Sequence, residues 1–111
     1  MRKKIEESTY IALFITTATA EEAQRISRAL LEQRRAACVN IVPKVNSHFW
    51  WQGKIDSAQE NLLIVKTTAS QLNELVRLVK QLHSYEVPEI IAIPIVSGNQ
   101  DYLEWISKEV E

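Results

Sequence analysis

The sequence predicts an α+β fold with element order β-α-β-β-α-β and an added C-terminal helix. Three observations carry that prediction. Between Ala36 and Thr68 two strand-forming stretches flank a Gln52-Gly53 turn, the pattern of a long hairpin. One helical periodicity stands on each side of the hairpin, beginning near Thr19 and near Ser70. Short apolar strands, Thr9 to Thr17 and Ile90 to Val96, close the two ends.

The elements follow in order. Residues 1–8 read as a charged tail and residues 9–111 as a single domain. Met1-Arg2-Lys3-Lys4 before an apolar run has a superficial likeness to a signal peptide, but Glu6 and Glu7 intervene and Tyr10 to Ile15 is a very short apolar core. Thr9 to Thr17 is apolar on both faces, as a central strand is. Thr19 and Glu22 form a Thr-x-x-Glu capping box for a first helix reaching about Arg34, with Ala23, Ile26, Ala29, Leu30 and Gln33 inward. Ser70 is placed to cap the second helix, whose Leu72, Leu75, Val76, Val79 and Leu82 recur at helical spacing. His83 to Glu89 connects to Ile90–Val96, a strand buried on both sides with an edge or bulge at Pro94. Asn99 or Asp101 caps the last helix. Two crossovers flanking a hairpin give the split β-α-β, ferredoxin-like arrangement, with both main helices on one face.

The hairpin is too long for its own domain. Each arm of about fifteen residues can reach ~50 Å at roughly 3.3 Å per residue. A compact chain of this size has a radius of gyration near ~13 Å. Pro43 kinks or bulges the first arm, and Asp56 to Glu60 break the apolar pattern of the second. A tip carrying Phe49, Trp50 and Trp51 still needs apolar cover, and an exposed apolar patch marks an interface. Self-association is expected, with another copy of the chain covering the open face of the sheet.

Composition excludes several classes. With 111 residues, 46% hydrophobic and 24% charged, the chain suits one globular core. A net charge of −1 gives no reason for a nucleic-acid or membrane-surface partner. The second arm also lacks an RNA-recognition signature. One cysteine excludes an intrachain disulfide and fits a reducing compartment, so a cytoplasmic location is expected. No Gly-rich phosphate loop, dinucleotide fingerprint or nucleophile elbow is present.

The residues with chemistry to offer are few. Cys38 is a candidate soft-metal ligand, against the plainer reading of a small buried hydrophobe. His83 follows the second helix, as a metal ligand or proton carrier, or simply as a cation suited to a helix C-terminus. No C-x-x-C or H-E-x-x-H spacing accompanies them, so a metal site must be assembled from distant segments or different subunits. Lys66 is the one charge in an apolar arm and needs a partner, with Glu89 and Glu60 as candidates. The sharper reading makes it an anion-binding lysine. His83, Tyr85 and Glu89 can form an acid–base cluster, but no nucleophile or cofactor motif joins them.

Ala36-Ala37-Cys38-Val39-Asn40, Trp51-Gln52-Gly53-Lys54-Ile55, Lys66-Thr67, His83-Ser84-Tyr85-Glu86-Val87-Pro88-Glu89 and Tyr102-Leu103-x-Trp105-Ile106 together resemble the CutA family, the divalent-cation-tolerance proteins. The resemblance runs from about Thr9 to the end. It implies a ferredoxin-like subunit and an interlocked homotrimer whose long strands cross between subunits. A cytoplasmic role tied to copper and other divalent cations is also implied. Carried over by position, the family cleft involves Cys38, Lys66, His83, Tyr85 and Glu89, with Trp51 and Gly53 at the turn. Phe49 stands where the family often has tyrosine, and Ser84 where proline is frequent. The expectation is a homotrimer binding a divalent cation weakly through His83, Cys38 and Glu89, with Lys66, Tyr85 and Trp51 lining a cleft. The competing readings are a signal-type trimer binding a small anion between subunits and an interaction scaffold.

Overall fold

The computed structural model describes residues 9–111; the charged tail expected at residues 1–8 lies outside them. The chain runs β1 (Tyr10–Thr17), α1 (Ala20–Glu32), β2 (Cys38–Trp51), β3 (Lys54–Thr68), α2 (Leu72–Leu82), β4 (Ile90–Pro94) and α3 (Gln100–Glu109). The strands form one antiparallel sheet in the order β2-β3-β1-β4, so β1 is central as expected. Strand alternation sends Ile11, Leu13 and Ile15, with Leu63 and Val65, to one face. There they pack with Ala23, Ile26 and Leu30 of α1 and Leu75 and Val79 of α2, all fully buried. Burying each large aliphatic side chain contributes about 1.5–3 kcal/mol.

Thr19 Oγ1 accepts the Glu22 N–H at 3.1 Å, the first half of the expected capping box. The second half is displaced by one residue, because Glu22 Oε1 accepts from Ala18 N–H. At its other end α1 stops at Glu32, earlier than periodicity suggests, and Gln33 is exposed. Arg34 takes φ 60°, and the Arg34 and Arg35 N–H groups return to the Leu31 and Leu30 carbonyls. That is a Schellman ending built on arginine instead of glycine. Arg34 also binds the Glu109 carboxylate at 2.8 Å, while Glu111 N–H donates to the Arg34 carbonyl, pinning the end of the chain to this turn.

Ser70 does not cap α2. A 3₁₀ turn over Ala69–Gln71 precedes the helix, and Ser70 Oγ pairs with Thr68 Oγ1 instead. Asn99 does cap α3, its Oδ1 accepting the Asp101 N–H at 3.0 Å.

The hairpin overhangs. β1 accompanies β3 only between Asn61 and Thr68. From Val45↔Glu60 to Trp51↔Lys54, β2 and β3 continue as two strands alone, a projection of ~20 Å at about 3.3 Å per residue. Pairing is continuous through Asp56–Glu60, so the polar run changes the apolar pattern of the second arm without interrupting its ladder. The turn has φ 50° at Gln52 and φ 79° at Gly53, the two positive values of a type I′ hairpin. The register shifts between Val42 and Val45, where Pro43 removes a ladder donor and Lys44 takes φ 60°. The radius of gyration, 14.6 Å, exceeds the ~13 Å of a compact chain, as a projecting arm requires. At its tip Trp50 is 73% exposed, Trp51 59% and Ile55 70%.

The second face of the sheet is largely open. Ala12, Phe14, Leu62 and Ile64 alternate onto it, beside the partners Ile91 and Ile93 of β4. α3 crosses only one end of this face, where Ser107 Oγ donates to Tyr10 Oη at 2.8 Å. β4 ends at Pro94, and Ile91 and Ile93 are exposed, contrary to a strand buried on both sides. The apolar pattern of β4 therefore satisfies one face within the subunit and leaves the other without cover.

Candidate functional site

The expected site residues fall into two clusters and two outliers. The first cluster lies where β1 ends and α2 gives way to β4. His83 is the residue after α2, its N–H closing on the Val79 carbonyl. Its side chain is wholly buried. Nε2 lies 2.7 Å from the Thr16 carbonyl, and Nδ1 accepts the Tyr85 N–H at 3.0 Å. A carbonyl can only accept and a backbone N–H can only donate, which fixes the proton on Nε2. Tyr85 packs against the imidazole with ring centroids 4.9 Å apart. Its hydroxyl donates to Glu60 Oε2 at 2.7 Å. Burial, then the hydrogen bond to Glu60 and the charges of Glu60 and Glu22, push the Tyr85 pKa up to about 12. Tyr85 is therefore a protonated donor at neutral pH.

Glu22 completes this cluster from the start of α1. Its carboxylate accepts the Ser84 N–H, the Ser84 hydroxyl at 3.1 Å and the Ala18 N–H, and lies 3.6 Å from His83 Nδ1. Burial pushes its pKa up, but the hydrogen bonds from Ser84 and Ala18 outweigh it and hold the carboxyl below its ordinary value. A depressed carboxyl stabilises the fold above its unfolded pKa and loses that contribution as pH falls through the folded value. Thermal melting at pH values stepped down through 4.5 is expected to show a steeper loss of Tm in the native sequence than in Glu22→Gln. Parallel curves would remove Glu22 from the acid response.

The second cluster lies toward the C-terminal end of β3, six residues on from Glu60, or about 20 Å along the strand. Cys38 and Lys66 are direct cross-strand partners. Lys66 Nζ hydrogen-bonds Asn40 Oδ1 and stands 3.9 Å from Cys38 Sγ. Neither Glu60 nor Glu89 is its partner, because Glu60 is taken by Tyr85. On α3, burial first and then the neighbouring Cys38 push the Tyr102 pKa up. Glu89 is exposed, Trp51 sits at the hairpin tip, and neither joins a cluster.

Sequence reading named His83, Tyr85, Cys38 and Lys66 for clefts between subunits; within one subunit they fall into two clusters. It saw Glu22 only as a cap and Glu60 only as a lysine partner. Asn40 and Tyr102 appeared in motifs without a role. Among the described residues no three His, Cys, Asp or Glu side chains are grouped to hold a metal ion. A metal needs a lone pair, and both imidazole nitrogens of His83 are engaged. His83, Cys38 and Glu89 within one subunit thus do not fit a metal cage.

The four-stranded antiparallel sheet, α1 and α2 on one face and the projecting hairpin define a small α+β protein with a split β-α-β order. The model of the CutA1 divalent ion tolerance protein family matches residues 11–109, and the chain belongs to that family. The Thermus thermophilus divalent-cation tolerance protein CutA is 50% identical over 94 residues, covering 85% of this chain and 91% of that protein. The chloroplastic CutA 1 of Oryza sativa is 45% identical over 96 residues, 86% of this chain. The chain spans only 54% of that relative's length. The solved Thermus thermophilus protein superposes with a TM-score of 0.91 at 46% identity, covering 92% of this chain and 99% of that one. A solved Archaeoglobus fulgidus relative, described as periplasmic, gives 0.89 at 47%, covering 92% and 99%. No helix among the described residues is long and apolar enough to cross a membrane.

Proposed function

We propose that this CutA-family protein acts in divalent-cation tolerance as a homotrimer of ferredoxin-like subunits. In this reading it is cytoplasmic and non-enzymatic, and it holds copper or another divalent cation weakly at clefts between subunits. The observation that carries the reading is the overhanging hairpin, whose Trp50, Trp51 and Ile55 find no cover in their own chain. The open sheet face with exposed Ile91 and Ile93 supports the same assembly. A second copy is the partner of matching chemistry, since both surfaces are apolar and a closed ring satisfies each of them once per subunit. The single free cysteine supports the cytoplasmic assignment.

Metal then comes to donors from more than one subunit. Cys38 of one chain and the exposed Glu89 of another are the accessible pair. His83 joins only by giving up its bonds to Thr16 and Tyr85. Exposing two buried hydrogen-bonding groups costs about 1–3 kcal/mol each, which makes a weak site. Equilibrium dialysis against copper and zinc tests this: Cys38→Ser, Glu89→Gln and His83→Ala each lower bound copper while the trimer persists. Copper binding unchanged in all three removes these residues as ligands.

A further inference from the structure

The outer edge of β4 is a strand edge without a partner. β4 stands last in the sheet order, so only its β1 side is paired. The Ile95 N–H donates to the Tyr10 carbonyl at 3.0 Å, which makes Ala12↔Ile93 and Phe14↔Ile91 the hydrogen-bonded pairs of the ladder. By alternation, the N–H and C=O groups of Ile90 and Ala92, with the C=O of Pro94, point away from the sheet. None of them finds a backbone partner among the described residues. Pro94 has no N–H and ends the row of donors. An unpaired row of this kind is a template for one more strand.

Beside that edge, on the face that carries the helices, lies a groove of about 720 Å³. Its floor is apolar, with Leu72 and Val76 of α2 on one side and Ile90 and Ala92 of β4 on the other. Arg77 and Lys80 stand exposed at its rim. Arg77 is ion-paired with Glu74, whereas Lys80 meets no carboxylate among the described residues. Leu72, Val76 and Lys80 follow one another at i, i+4, about 6 Å apart along the helix. Alternate residues of an extended strand are about 6.6 Å apart. A strand added to β4 therefore sets two side chains against Leu72 and Val76 and a third against Lys80, where a carboxylate matches. His83 lies by Thr16 and Ile90 by Ile15, so a strand antiparallel to β4 runs with α2 and meets Lys80 last.

We propose that the β4 edge and the α2 groove dock an extended segment of another protein, carrying two apolar residues at alternate positions and an acidic residue at the next. Backbone bonds to Ile90 and Ala92 supply the pairing, and the groove selects the side chains. The free strands of this chain lack the pattern. β2 has no acidic residue; in the projecting part of β3, Ile55 alternates with Ser57 and Gln59, and Asp56 with Ala58 and Glu60. The surfaces proposed for contact between copies are the hairpin tip and the face carrying Ile91 and Ile93, on the other side of β4.

Fluorescence anisotropy on the full native protein tests the site with a fluorescein-tagged peptide, Val-Thr-Val-Thr-Glu behind a Gly-Gly spacer, beside the same peptide ending in lysine. The native protein is expected to prefer the glutamate peptide. Lys80→Glu weakens that peptide about tenfold, because one exposed attraction is lost and a repulsion of similar size is added. The same variant then prefers the lysine peptide, a reversal that a general loss of structure does not produce. Of two glutamate peptides N-methylated at alternate amides, the one methylated on the β4 side loses binding and the other keeps it. A native protein that binds neither peptide at millimolar concentration, or both equally, overturns the proposal. So does a preference that Lys80→Glu leaves unreversed, or equal binding of the two methylated peptides. Sedimentation of Lys80→Glu is expected to match the native protein; a changed oligomer would make the groove a contact between copies and overturn the proposal as well.

Discussion

Trp50→Asp combined with Ile55→Asp is expected to leave the chain as folded monomers in place of the proposed trimer. The two residues are direct cross-strand partners at the hairpin tip, and both are mostly exposed within the subunit. A tryptophan buries roughly 150–250 Å² when covered, worth about 4–6 kcal/mol at ~25 cal/mol per Å². With three tips per assembly, placing carboxylates there removes a term of this size from each junction and adds the cost of burying a charge. The tip touches nothing of its own core, so far-UV circular dichroism and monomer secondary structure stay intact. Sedimentation at micromolar concentration reads the result. A variant that still sediments as a trimer would show that the open sheet face alone holds the subunits together.

His83→Ala is expected to cost about 2–4 kcal/mol in the absence of any metal, through lost packing and two orphaned backbone groups. The imidazole is wholly buried and is the shared partner of the Thr16 carbonyl and the Tyr85 N–H. Its loss frees Tyr85 from ring packing and loosens the Tyr85–Glu60 bond across the base of the hairpin. Urea unfolding at fixed protein concentration, with chelator present, separates this from a metal effect. Unchanged stability under chelator would mean that the ring's hydrogen bonds contribute nothing net. A ligand role would then be its main reason to be there.

These two expectations mark where the sequence was legible. The hairpin, its Gln52-Gly53 turn and the bulge near Pro43 depend on local backbone chemistry that glycine and proline announce directly. Of the two caps offered for α3, Asn99 is the one used, and the inward faces of α1 and α2, Gln33 excepted, followed from helical periodicity. Ser70 failed as a cap because a neighbouring hydroxyl, Thr68, competed for it. The apolar run of β4 was read as buried on both faces, a demand that one subunit meets on one face only.

The site was less legible because its bonds are long-range. Ser84 meets Glu22 across 62 positions, and Tyr85 meets Glu60 across 25. No local period encodes such pairs. Family resemblance supplied the residue names, while their positions within the subunit follow from strand register. The register of β2 on β3 places Lys66 opposite Cys38, six residues on from Glu60. Ser84 has a task here: its N–H and hydroxyl both hold Glu22.

The central claim is that the bare hairpin and open sheet face are completed by two further copies of the chain. Native mass spectrometry of the purified protein tests it most directly. The account predicts a dominant species of three times the 12.8 kDa subunit at micromolar concentration. A monomer under the same conditions, with Trp50 and Ile55 still exposed to solvent, would contradict it.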